Sequence, residues 1–293
     1  MVMRMRTNVP EDFAKVVALY DHEMPQNNLI HDLIYPLVYG ESEYIGQFSD
    51  NSASEIRQMG AAMQLGPGAR VLEIGCGTAP IACFLAQMLE WRVVGIDIAS
   101  APLEKARDRI RSSSLVDQVQ AVHGNIYSYS FAERFDGAYL TGALCHFDAL
   151  SLFARCHDLL RPGGVLAFME RARMANLNPD DWRELTFEWA CPHVYSIDEY
   201  VMLLRRAGFS VRTVADRTLT FREWQQRSVT VRQALREQIT NLTSSEYFET
   251  SLRLAAYENA ATQSGKLGYV LIIAEVVDVV PGASATLGDD ARP

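Results

Sequence analysis

Val71-Leu-Glu-Ile-Gly-Cys-Gly-Thr-Ala-Pro80 is the stretch that decides the reading of this chain. A short apolar run ends in an acid and two glycines, then passes into an amphipathic helical stretch, IACFLAQMLE at 81–90. Glycines at 75 and 77 let backbone approach a ligand closely, and a helix N-terminus offers unpaired N–H groups. Twenty residues after Gly77 a second apolar run, RVVGID at 92–97, ends at Asp97. An acid there can accept both hydroxyl hydrogens of a ribose. The two features together mark a nucleoside site at the carboxyl ends of a parallel sheet.

The same alternation extends outward from this point. Runs at 69–74, 92–97, 119–124, 135–140 and 164–170 read as strands, and stretches at 81–90, 102–111 and 150–160 as helices. Alternating β and α elements specify an α/β, doubly wound sheet covered on both faces, which is why its strands are almost wholly apolar. Gly66-Pro67-Gly68 breaks the chain before the first strand, and Arg161-Pro162-Gly163-Gly164 turns into the fifth. A helix over 196–207 opens with Ser196 and carries Glu199 three residues on, a capping-box spacing; Gly208 closes it. A strand is expected over 209–218, mostly helix over 219–262, and a last strand over 267–277.

The expected organisation is a helical lid over 1–65 and a core over 66–280, with helical insertions at about 171–195 and 219–262. Residues 281–293 read as a mobile tail. The helices of 219–262 would cap the site, form a homodimer face, or both.

Composition narrows the partners. The formal net charge is −9, and no Lys/Arg run announces a basic patch. Nucleic acid and anionic membranes are therefore not expected partners. No apolar run is long enough to cross a bilayer, and the opening MVMRMRTNVP lacks the apolar segment of a secretory signal. Five cysteines without CxxC spacing argue against a disulfide framework or a metal site, and for a reduced, cytoplasmic setting.

The cofactor class follows from what the glycine run lacks. The dinucleotide pattern G-x-G-x-x-G would need a third glycine where Pro80 stands, and a Walker lysine is absent. A pyrophosphate would sit beside Glu73, where a cationic cofactor is electrostatically preferred.

E-I-G-C-G-T-A at 73–79 resembles motif I of class I S-adenosylmethionine (SAM) dependent methyltransferases, and V-V-G-I-D-I at 93–98 resembles their motif II. H-G-N-I at 123–126 is similar to their adenine-edge segment, and L-L-R-P-G-G-V-L at 159–166 to the turn before strand five. The resemblance covers roughly 66–278 and implies a Rossmann-like seven-stranded sheet with an antiparallel last strand, with SAM as cofactor. It assigns Glu73, Gly75 and Gly77 to the methionine part of SAM. Asp97 is assigned to the ribose, and Ile98, Asn125 and Ile126 to adenine. Two positions depart from the family pattern: Ala79 stands where a third glycine is common, and Asn125 where Asp is usual.

Methyl transfer needs an aligned acceptor, exclusion of water and, for some acceptors, removal of a proton. His146, after strand four, lies where small-molecule methyltransferases often carry a pocket-facing histidine; its competing reading is structural. Glu170, at the end of strand five, would orient His146, bind a cationic acceptor or act as base; its competing reading is an ion pair with Arg171 or Arg173. His193 is the rival base. Trp189, in an aromatic-rich insertion, would line an acceptor pocket. The segment YGESEYIGQFSD at 39–50 resembles the lid of the sarcosine-type and natural-product enzymes. That makes Tyr39 and Tyr44 acceptor contacts and Gln47 a cofactor contact.

The function expected is methyl transfer to a small-molecule acceptor, an aromatic or heteroaromatic secondary metabolite among the options, with carbon, nitrogen and oxygen all open. The alternative is a non-catalytic SAM- or nucleoside-binding partner protein. A nucleic-acid methyltransferase is disfavoured because L140-T-G-A-L lacks the Asn/Asp-Pro-Pro-aromatic motif of enzymes acting on a flipped base.

Overall fold

A computed structural model describes residues 13–277, without the side chains of 22–28. The opening decapeptide and the tail at 281–293 lie outside the described residues. Seven strands form one sheet: β1 (Arg70–Ile74), β2 (Arg92–Asp97), β3 (Val119–His123), β4 (Phe135–Thr141), β5 (Leu160–Arg173), β6 (Phe209–Asp216) and β7 (Leu267–Val276). Their spatial order is β3-β2-β1-β4-β5-β7-β6. β7 runs antiparallel to both neighbours, and the pairs among the first five strands are parallel. The expected Rossmann-like sheet with its antiparallel last strand is the observed one.

Side-chain alternation divides the core between the two faces. Leu72, Ile74, Ile96, Leu140 and Phe168 pack on one face with Phe153 and Tyr200, from the helices Ala149–Leu159 and Ile197–Arg206. Val71, Val93, Tyr139 and Met169 pack on the other with Ile56, Leu85 and Leu103, from the helices Ala53–Ala62, Pro80–Leu89 and Ala101–Ser112. Chain order reverses between β1 and β4, so the helices after them leave on opposite faces and open a crevice at the carboxyl ends.

β5 is longer than the apolar run alone suggests. Arg161-Pro162-Gly163-Gly164 is taken up as an irregularity against β4, between the pairs Phe135–Leu160 and Gly137–Val165. Beyond Glu170 the strand continues because β7 pairs with it as far as Arg173–Leu267. The capping box at Ser196 and Glu199 is present, and Gly208 takes a φ of +90°.

Three helices follow β6: Thr218–Ala234, Arg236–Leu242 and Ser245–Gln263. They meet the N-terminal helix Met24–Tyr39 in a separate apolar cluster, where Ile30, Ile34 and Val38 pack with Ile239 and Phe248. Stretches far apart in sequence thus build one helical layer.

Phe168 is fully buried in β5, 5.6 Å from the Phe153 ring and 5.3 Å from Tyr200. Phe168→Ala is expected to lower unfolding free energy by about 3–5 kcal/mol. Urea denaturation of the two proteins checks this.

Candidate active site

The crevice at the β1/β4 reversal holds a cavity of about 310 Å³. Glu73, Gly75, Gly77, Asp97, Ile98, Asn125 and Ile126 all line it, so the structure brings the seven motif residues to one place. β1 and β2 end in register, Ile74 beside Ile96, which sets the glycine loop against Asp97. One Asp97 oxygen accepts from the Gly77 N–H at 2.8 Å, and the other from the Ala99 N–H at 2.9 Å. The carboxylate therefore ties the glycine loop to β2. Gly75 has a φ of +74°, and a Cβ there would lie 2.9 Å from the Ala143 Cβ. Ala79 occupies the left-handed region at φ +55°. That explains why glycine suits its position, at a cost to alanine of about 1–2 kcal/mol.

Two acids, Glu73 and Asp97, meet in this cavity, and Lys105 also lines it. Glu73 is buried, and its Oε2 has no hydrogen-bond partner among the described residues. Burial pushes its carboxyl well above the usual range, with the charge of Asp97 adding to the effect. Burial also raises Asp97, against the backbone N–H groups that favour its charged form. Asn125 differs from the expectation. Its side-chain oxygen accepts from the Tyr127 N–H at 2.9 Å, a local turn bond that takes one of the two lone pairs of the group expected to face adenine.

A second cavity, of about 190 Å³, adjoins the first. Tyr20, Phe48, Ser49, Gly142 and His146 line both. His146 lies in the short 3₁₀ turn Leu144–His146 after β4 and is 9% exposed. Its Nδ1 is 2.7 Å from the Ala190 carbonyl oxygen. A carbonyl can only accept, so in the neutral ring Nδ1 carries the proton and Nε2 is the free base. That Nε2 accepts from the Tyr20 hydroxyl at 3.2 Å. Burial pulls the His146 pKa down to about 4, so the ring is neutral at ordinary pH.

Trp189 lines the second cavity. The other acceptor-side candidates lie elsewhere. Glu170 lines neither cavity and is fully buried. Its oxygens accept from the N–H groups of Cys145 (3.2 Å) and Arg171 (2.9 Å), and it faces the Arg171 guanidinium at 3.8 Å. This carboxylate, on β5, holds the turn that follows the neighbouring strand β4. His193 lines neither cavity; it stacks on Tyr195 and donates its backbone N–H to the Cys145 carbonyl. Tyr39 packs against Tyr35 and Trp224, and Tyr44 donates to Asp32 at 2.6 Å. Gln47 spends its amide within its own segment, donating to the carbonyls of Glu43 and Asn51 and accepting from the Ile45 N–H. The lid stretch therefore reaches the cavities through Phe48 and Ser49, one and two residues past Gln47.

Sequence reasoning also missed Tyr20, His31, Arg171 and Arg232, all at the second cavity. Arg171 pairs with Glu258 at 2.5 Å and Asp50 at 2.6 Å. Cys145, His146 and Cys191 place their ligating atoms within 4.8 Å of one another, with the sulfurs 2.8 Å apart. Nothing in their linear spacing marks that grouping.

Residues 71–164 match a family model described as a methyltransferase domain. An O-methyltransferase of Aspergillus nomiae is 31% identical over 166 residues, covering 55% of this chain and 72% of that protein. The chain belongs to the class I SAM-dependent methyltransferases. The 27-O-demethylrifamycin SV methyltransferase of Amycolatopsis mediterranei is 28% identical over 254 residues, 82% of this methyltransferase and 92% of that one. The cyclopropane synthase MmaA2 of Mycobacterium tuberculosis shares the fold, with a TM-score of 0.77 at 17% identity over 90% of this chain and 98% of that one. SAM is the cofactor of this methyltransferase, and the donor set suits it. The unpartnered Glu73 oxygen, with Asp97 beside it, is what a cationic nucleoside would complement. No helix among the described residues is long and apolar enough to cross a membrane.

Asp97→Ala is expected to weaken binding of S-adenosylhomocysteine (SAH) at least on the order of tenfold, through the lost carboxylate and the loosened Gly77 loop. Titration calorimetry measures it, and an unchanged Kd would remove Asp97 from the site.

Proposed function

We propose that this enzyme methylates a small-molecule acceptor at a hydroxyl, with His146 as the group that takes the proton. One observation carries the reading: a neutral imidazole whose unprotonated Nε2 is met only by the Tyr20 hydroxyl, among the described residues, stands on the wall shared by the two cavities. The O-methyltransferase relatives support oxygen as the accepting atom. Sterol C-methyltransferases among the relatives keep carbon as the second option.

Under this reading Glu73, the Gly75–Gly77 loop and Asp97 hold the amino-acid and ribose parts of SAM, and Ile98 and Ile126 flank its adenine. Bound there, SAM supplies an electrophilic methyl on a sulfonium. The chain's own residues do the rest. Tyr20, donating to His146 Nε2, stands where an acceptor hydroxyl would take its place. The Ala190 carbonyl holds the ring in the tautomer that can accept a proton and favours the imidazolium that follows. Phe48 and the helices over the second cavity keep water from the methyl.

His146→Gln is expected to lower kcat by about 10²–10⁴-fold while leaving SAH affinity nearly unchanged. The sign of the pH dependence follows from the lowered pKa. His146 stays neutral, and able to accept a proton, at every pH above about 4, and loses that ability below it. The acid limb of kcat/KM in the wild type is therefore expected near pH 4. A limb at about 6.5, the ordinary histidine value, that survives in His146→Gln would assign the proton to another group.

A further inference from the structure

The far side of the second cavity is built unlike the side that meets the nucleoside cavity. Arg232, on the helix Thr218–Ala234, is 7% exposed and lines it. Its Nε donates to Ser251 Oγ at 3.1 Å, and its Nη1 donates to Ser228 Oγ and, at 3.4 Å, to the Ser228 carbonyl. All three acceptors are neutral. Among the described residues no carboxylate lies within 4.0 Å of the guanidinium, and Nη2 makes no hydrogen bond. Arg171, in contrast, is already matched by Asp50 and Glu258. The serines fix the Arg232 fork in place, while Glu258, which lines the same cavity and pairs with Arg171, feels the Arg232 charge only from beyond ion-pair distance.

Two further groups at this end lack partners. His31, 9% exposed, has an Nδ1 with no hydrogen bond; its ring packs 4.4 Å from Tyr35 and 3.9 Å from Phe48. The indole Nε1 of Trp189 is buried and likewise unpaired. Both residues line the cavity with Arg232, as do Tyr35 and Phe48. Buried polar groups are nearly always satisfied, and the free Nη2 of a fixed guanidinium can donate a charge-assisted hydrogen bond to a carboxylate oxygen.

We propose that this end of the pocket binds a carboxylate carried by a flat, aromatic acceptor. Arg232 takes the carboxylate, the Trp189 and His31 N–H groups complete its shell, and Tyr35 and Phe48 hold the ring. The accepting hydroxyl then points back toward His146. The inference rests on the methyltransferase reading above and names the acceptor class for it.

Titration of the protein, saturated with SAH, with para-hydroxybenzoate and with its neutral amide, para-hydroxybenzamide, tests the proposal. The acid is expected to bind on the order of tenfold more tightly than the amide. Arg232→Gln should abolish that preference, and Trp189→Phe, which keeps an aromatic ring and removes only the N–H, should reduce it several-fold. Both should leave SAH affinity unaltered, which also reports that they fold. Equal binding of acid and amide, or a preference that survives in Arg232→Gln, overturns the proposal. Turnover with SAM separates the two readings. Carboxylate binding with the expected Arg232 dependence but no methyl transfer to any small molecule retains this site and removes the proposed function. Methyl transfer confined to uncharged acceptors does the reverse.

Discussion

A guanidinium withdrawn from water at the carboxyl end of β5 has to be matched by carboxylates, and that requirement assembles the walls of the second cavity. Arg171 draws Asp50 from the segment before the first core helix and Glu258 from the helix Ser245–Gln263. Its neighbour Glu170 faces it and holds the turn that carries His146. Three stretches of chain that share no local structure are thereby held at one point. Replacing such a buried pair with well-packed apolar groups is often neutral or stabilising, but removing one partner typically costs about 3–5 kcal/mol. The cluster therefore reads as a device for positioning.

The two cavities meet at His146 and differ in electrostatic character. On the cofactor side Glu73 and Asp97 lie close together, and burial disfavours the charge of both. In the second cavity Arg232 is a buried guanidinium with no carboxylate at ion-pair distance among the described residues. A cationic nucleoside and an anionic acceptor would each find the complement they need. The chain is acidic overall, and the second cavity sets Arg171 and Arg232 among Asp50, Glu188 and Glu258.

Between them, the His146 ring is controlled by backbone. The Ala190 carbonyl selects its tautomer, and Ala190 itself sits at φ +49°, in a segment tied back by the Cys191 N–H to the Leu185 carbonyl. The insertion after β5 thus acts on the proposed chemistry through a carbonyl oxygen, while the histidine it carries, His193, faces Tyr195 away from both cavities. A carbonyl has no sequence signature, which is why the rival base was the more visible of the two.

The sequence by itself determined the sheet and the cofactor cavity. Strand periodicity, the Gly75–Gly77 bend and the acid at Asp97 are local features. In a doubly wound sheet the register of β1 against β2 leaves one place for them to meet. On the side of the second cavity the sequence marked His146 and Trp189, and the tertiary structure decided the rest. Tyr39, Tyr44 and Gln47 have the residue types of a lid, but their side chains satisfy one another locally and line neither cavity. Tyr20, His31 and Arg232 come from separate helices, and long-range packing of those helices brings them together. Which buried donors are left unpaired is a property of the packed whole that no stretch of sequence contains.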